Sequence, residues 1–132
     1  MEVRGWKLVK DGEKMIKSYK DLKVYKKSYS LALEIHQLTQ HLPKTERYEL
    51  GSQMRRAAIS IPSNIAEGYG KKRSTAEFKR FLLMSLGSCN ELQVQINLCK
   101  DLGYIEDEKA DKLLERYDIL GRQLNTMIDK WF

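Results

Sequence analysis

Apolar residues recur along most of this chain at steps of three and four, the spacing that lines one side of a helix. Val24, Ser28, Leu31, Ile35, Leu38 and Leu42 predict a first helix over about residues 20–41. Ser18 followed by Asp21 reads as its cap, and Pro43 ends it because a proline cannot continue a helix interior. Leu50, Met54, Ala57, Ile61 and Ile65 predict a second helix over about 46–67. Pro62 falls inside that run, so a kink is expected near residues 58–62, absorbed at Ser60, with Gly68 as the positive-φ terminator.

The third stripe is Phe78, Leu82, Ser85, Cys89, Leu92, Ile96 and Cys99, on a long helix over about 75–102 that opens at the Ser74/Glu77 capping box and stops at Gly103. The fourth is Ala110, Leu113, Tyr117, Leu120, Leu124, Ile128 and Trp131, over about 107–131. Acidic Glu106, Asp107 and Glu108 at its start complement the helix dipole. Helices this long joined by short connections pack as antiparallel neighbours, so the expected fold is all-α, an up-down-up-down four-helix bundle over residues 18–132. Residues 1–17 form an N-terminal extension, either a small hairpin about Asp11-Gly12 or a mobile tail.

Composition narrows the class further. At 132 residues there is room for one domain, and 42% hydrophobic with 32% charged residues excludes collagen-like, low-complexity and strongly disordered chains. No stretch reaches the ~18 apolar residues of a membrane span, and the first residues lack the apolar run of a secretory signal, so a cytoplasmic protein is expected. Cys89 and Cys99 lie ten residues apart on one helix, roughly 15 Å, too far to bridge, and read as small core residues.

The net charge is +6, and its distribution matters more than its sum. Residues 1–80 hold 18 Lys and Arg against 9 Asp and Glu, whereas residues 81–132 hold 6 against 9. A basic front half favours an acidic partner, nucleic acid or an acidic protein surface. Within it, Lys71, Lys72 and Arg73 precede a helix N-terminus, a combination suited to phosphate, with Tyr69 beside them for stacking on an unpaired base. Lys20, Lys23, Lys26 and Lys27 add a basic face on the first helix, suited to backbone phosphate contacts. Arg55 and Arg56 lie mid-helix, where pairing with Glu67, Glu91 or another subunit competes with contact to RNA.

Catalytic signals are missing. His36 and His41 project about 140° apart on a helix, the wrong spacing for a shared metal, and no phosphate loop, nucleophile elbow or HExxH pair is present. No enzyme activity, metal or cofactor is expected. A second apolar flank does call for a partner: Leu83 and Leu86 beside Leu82, and Leu22, Tyr25, Tyr29 and Leu33 beside the Val24 stripe, suggest packing against further copies.

Several segments carry a resemblance to a known family. They are Ser18 to Val24, then Gln53 to Ala58 with Ser60-Ile61-Pro62-Ser63-Asn64-Ile65-Ala66-Glu67-Gly68, then Glu77-Phe78 with Arg80-Phe81-Leu82, and Leu86-Gly87-Ser88 with Glu91-Leu92. From Ser18 to about Trp131 the chain resembles the bacterial four helix bundle proteins, also called 23S ribosomal RNA intervening-sequence proteins. The resemblance implies an antiparallel four-helix bundle assembling as a ring-shaped homopentamer. It further implies a link to genes within ribosomal RNA intervening sequences. The resemblance also implies kinship with the accessory proteins of diversity-generating retroelements, for which binding of reverse transcriptase and nucleic acid through a basic surface is expected. The expectation is thus a non-enzymatic, oligomeric, nucleic-acid-associated protein, RNA-binding foremost, or else a scaffold docking an acidic partner such as a reverse transcriptase.

Overall fold

The computed structural model describes residues 16–131, and among them every regular element is helical. A 3₁₀ turn, Tyr19–Asp21, is followed by α1, Lys23–Gln40, the short α2, Lys44–Tyr48, and then α3, Leu50–Gly70, α4, Thr75–Asp101, and α5, Asp107–Lys130. The four long helices are those the stripes predict. The hairpin expected about Asp11-Gly12 lies outside the described residues, while Ile16 is buried in the common core, so packing begins two residues ahead of Ser18.

Three boundaries differ from the expectation, each for a local reason. Ser18 and Asp21 do form a reciprocal capping box, but it closes the 3₁₀ turn. Leu22 is then extended (φ −69, ψ 131), and α1 starts behind it. The predicted second helix is divided at Glu49, whose φ of −97 and ψ of −89 leave the helical well, so Pro43 leads into α2 and α3 begins at Leu50. Pro62, by contrast, does not interrupt α3. Its ring is buried, and the next turn is braced by side chains: Asn64 Nδ2 donates to the Ser60 carbonyl at 2.8 Å, and Ser60 Oγ donates to the Ala57 carbonyl at 2.8 Å.

Gly68 is not the terminator of α3 either, since the helix runs on to Gly70. It is buried, and a Cβ placed there would stand 2.7 Å from Phe81 Cβ and 3.0 Å from Phe78 Cδ1. Glycine is needed for the approach of α4. The positive-φ stop occurs at Gly103 (φ 76), as expected, where Tyr104 N–H returns to the Cys99 carbonyl at 2.8 Å.

The helices meet in a regular register. Rising numbers on α3 face falling numbers on α4: Cys99 Sγ lies 3.7 Å from Met54 Sδ, Ser85 Oγ donates to the Ile61 carbonyl at 2.9 Å, and Gly68 abuts Phe78. Across α4 and α5 the sequence is Lys100 with Asp111, Cys89 with the Tyr117 carbonyl, and Phe78 with Trp131. On α1, Glu34 holds Arg116 of α5 and Thr39 accepts from Arg55 of α3. The enclosed core includes Leu31, Ile35, Met54, Ile61, Ile65, Phe78, Leu82, Leu92, Ile96, Tyr117, Leu120 and Leu124, all fully buried. Each such side chain contributes about 1.5–3 kcal/mol by leaving water.

One core group is at odds with its surroundings. Tyr117 is fully buried, its hydroxyl has no hydrogen-bond partner among the described residues, and burial pushes its ionisation upward.

Stability measurements on three variants check this packing. Gly68→Ala should destabilise the protein by about 1–3 kcal/mol in urea unfolding, because the added methyl overpacks two phenylalanines. Gly70→Ala, with nothing within 4 Å of its would-be Cβ, should stay within about 0.5 kcal/mol of the parent. Tyr117→Phe should cost nothing or add stability, since it removes a buried hydroxyl that makes no bond; a loss of over ~1 kcal/mol would reveal a partner for that oxygen.

Candidate nucleic-acid interface

Cations gather at the end of the bundle where the chain enters α1, α3 passes to α4, and α5 finishes. Over residues 17–27, 67–80 and 122–131 there are twelve Lys and Arg against four Asp and Glu. The opposite end, residues 44–49 and 100–115, carries five against eight. Charge therefore runs along the bundle axis.

The basic end is built by short-range hydrogen bonds. At the 3₁₀ turn the Asp21 carboxylate accepts from Lys17 N–H at 2.8 Å and Ser18 N–H at 3.1 Å. These two bonds hold its pKa below the usual carboxylate value. Ser18 Oγ accepts from Lys20 N–H at 3.2 Å, so Lys17 and Lys20 are fixed on either side of the cap. Tyr19 packs edge-on against Tyr25 with ring centres 4.9 Å apart.

The turn from α3 to α4 is equally constrained. Lys71 N–H donates to the Gly68 carbonyl at 2.9 Å, Lys72 N–H to Tyr69 at 3.2 Å and Ser74 N–H to Lys71 at 3.0 Å, after which Ser74 Oγ caps α4 through Glu77 N–H at 3.2 Å. Aromatic rings support the cations from below. Lys72 Nζ lies 4.1 Å from the centre of the Tyr69 ring, Lys71 Nζ 4.8 Å and Arg80 Cζ 4.5 Å from that of Phe81. Lys71 also stands 3.8 Å from Glu67, and Arg80 3.0 Å from Glu77, pairs that are exposed and weak. Arg73 is exposed with no partner among the described residues.

Tyr69 does not offer itself to a base. It is buried, edge-on to Phe78 with centres 6.3 Å apart, and desolvation raises its pKa. Its ring is a platform for Lys72 and not the stacking group that its place beside three cations suggests.

Lys23, Lys26 and Lys27 continue the basic surface along α1, where a groove separates α1 from α5. Arg116, Ile119, Arg122 and Gln123 line its far wall, and Gln123 Oε1 is buried there without a hydrogen-bond partner among the described residues. Arg116 is held by Glu34 at 2.8 Å and Arg122 by Asp118 at 3.0 Å.

Arg55 and Arg56 do not join this surface. Arg55 braces three helices, donating to Thr39 Oγ1 at 2.9 Å and to the Arg47 carbonyl at 3.1 Å, and not to Glu67 or Glu91. Arg56 is exposed in a shallow groove with Gln53, Ser60 and Glu91. Sequence reasoning in turn missed Lys79, Arg80, Arg122 and Lys130. Lys79 and Arg80 fall in the basic front half but past the cap of α4, whereas Arg122 and Lys130 were summed with the acidic start of α5, from which only the return of α5 to the basic end separates them.

The remaining polar chemistry is sparse. Burial pushes the Cys89 and Cys99 thiols up to about 11, leaving both protonated at neutral pH. His36 Nδ1 faces its own Ala32 carbonyl at 3.2 Å. Among the described residues no group of three His, Cys, Asp or Glu is placed to hold a metal, and no helix is long and apolar enough to cross a membrane.

Comparison with known proteins sets this geometry in a family. No curated protein matches the chain. Among solved structures, a Bacteroides thetaiotaomicron protein of unknown function from the S23 ribosomal protein family is similar at 25% identity and a TM-score of 0.73. The match covers 80% of this chain and 95% of that one. The model of the 23S rRNA-intervening sequence proteins matches residues 20–126, nearly all of the described helices, and the chain belongs to that family.

Proposed function

We propose that the protein is a non-enzymatic, cytoplasmic, RNA-binding bundle that holds a polyanionic backbone against its basic end. The observation that carries this reading is the separation of charge, twelve cations against four anions at one end and five against eight at the other. Such a gradient orients a polyanion before contact and excludes it from the far end. The family's name, which refers to intervening sequences of 23S rRNA, agrees with RNA as that polyanion. Contacts from Lys20, Lys23, Lys26, Lys27, Lys71, Lys72 and Arg73 go to phosphate, so binding is strongly salt-dependent and reads little sequence.

In the same reading the four long helices form an antiparallel up-down-up-down bundle, supported by the rising-against-falling register of their contacts. Copies then assemble into a homo-oligomer, the pentamer that the family resemblance implies, and each copy adds weak phosphate contacts to the total. A scaffold that docks an acidic protein such as a reverse transcriptase is the rival. The apolar floor of the α1–α5 groove, Ile119 and Met127, favours it.

Replacing Lys71, Lys72 and Arg73 together by Ala tests the proposal. Oligomer mass should be unchanged, RNA affinity should fall, and the slope of log K against log salt should shrink by about 0.7–0.9 per lost phosphate contact. Lys109→Ala with Lys112→Ala, at the acidic end, should leave binding unaltered. Equal binding of structured RNA by the triple variant, or wild-type binding indifferent to salt, would overturn RNA binding at this end. A partner protein retained from nuclease-treated lysate would favour the scaffold.

A further inference from the structure

Three of the protein's seven tyrosines line one groove of about 460 Å³ between α1 and α3. Tyr19 stands at one end, edge-on to Tyr25. Tyr25 and Tyr29 follow one turn apart on α1, with ring centres 5.9 Å apart and planes inclined at 39°, so the two rings are splayed and do not close into a stack. Tyr29 is 52% exposed and Tyr25 half-buried. Ile59, 47% exposed, and Pro62 form the α3 wall.

None of the lining residues is Asp, Glu, Lys or Arg, and His36, at the far end, faces its own Ala32 carbonyl at 3.2 Å. The carboxylates beside the groove in sequence are each engaged elsewhere. Asp21 accepts from Lys17 and Ser18 N–H, Glu67 lies 3.8 Å from Lys71, and Glu34 holds Arg116 of α5 at 2.8 Å. Cations meet the groove at its Tyr19 end alone. There Lys17 and Lys20 flank the 3₁₀ turn, which packs on α3. Lys23 and Lys26 line the α1–α5 groove, and Arg56 the α3–α4 groove.

We propose that the α1–α3 groove takes unpaired bases of the RNA whose phosphates meet the basic end, with Tyr29 and Tyr25 as the stacking faces. This rests on the RNA-binding reading above and adds which part of the nucleic acid is held besides its phosphates. In a duplex the bases are stacked on one another, whereas in a single strand or loop they can splay onto aromatic rings. Stacking of this kind needs aromatic faces, and cations where the backbone passes. The groove supplies the faces, without a carboxylate among its lining residues to repel the strand, and its Tyr19 end opens onto the cations. Every base has a π-face, so the site selects unpaired RNA over duplex and remains tolerant of sequence.

Tyr29→Ala and Tyr29→Phe test this with two probes, an unstructured single-stranded RNA and the same strand annealed to its complement. Tyr29 is exposed, so both variants should keep wild-type helicity by circular dichroism. Wild type should bind the single strand more tightly than the duplex. In Tyr29→Ala the single-strand affinity should fall by about tenfold with the loss of one stack. The slope of log K against log salt should stay at its wild-type value, because no phosphate contact is removed. Duplex affinity should not change, and Tyr29→Phe, which keeps the ring face, should bind as wild type does.

Unchanged single-strand affinity in Tyr29→Ala, an equal loss on strand and duplex, or a wild type that prefers the duplex would overturn the inference. So would a smaller sedimenting mass for Tyr29→Ala, since a second copy would then be what covers the groove. A wild type that binds neither probe would bring down the RNA-binding reading and this inference with it, a distinct result.

Discussion

The approach of α4 to the end of α3 at Gly68 is the contact on which the rest of this structure depends. With no Cβ at that position, Phe78 and Phe81 close onto the α3 backbone. Phe78 then joins Tyr69 and, at 4.3 Å between ring centres, Trp131 at the end of α5. Three helix ends are tied together by one aromatic cluster. The connection between α3 and α4 has only to span Lys71–Ser74, and it is closed by consecutive backbone hydrogen bonds. A tight turn with its side chains outward is the consequence, and the outward side chains are Lys71, Lys72 and Arg73.

Fixing that turn also fixes the electrostatics. The 3₁₀ turn lies against the end of α3, close enough for the Asp21 charge to act on Tyr69, and it brings Lys17 and Lys20 to the same end. With a screening length near 8 Å at physiological salt, exposed cations act together only if they are neighbours in space. The fold supplies that proximity to segments separated by tens of residues. Aromatic platforms under Lys71, Lys72 and Arg80 limit the side-chain entropy that a phosphate contact would otherwise cost.

Much of the fold was legible because amphipathic periodicity is a local signal that core burial preserves: the stripes ending at Leu42, Ile65, Cys99 and Trp131 are the faces that are buried, save for partial exposure at Leu50 and Ile128. What was not legible depends on neighbours distant in sequence. A glycine three residues past a stripe looks like a helix stop, and only the presence of Phe78 and Phe81 shows that it is a site of close approach. Tyr69 next to three cations looks like a stacking group until Phe78 covers it. Arg55 looks like a surface cation until Thr39 and the Arg47 carbonyl claim it. The basic site was half legible, since Lys71, Lys72 and Arg73 are adjacent in sequence, whereas Arg122 and Lys130 reach that end only through the path of α5. The break at Glu49 has no sequence signal of its own.

The claim that ties these observations together is that the molecule is polar along its axis, with a rigid cationic end that takes the phosphate backbone. Hydrogen exchange followed by mass spectrometry, with and without a saturating structured RNA, tests it most directly. The account predicts new protection in peptides covering residues 17–27, 67–80 and 122–131, and none in those covering 44–49 and 100–115. Protection centred on the acidic end, or spread evenly over both, would contradict it.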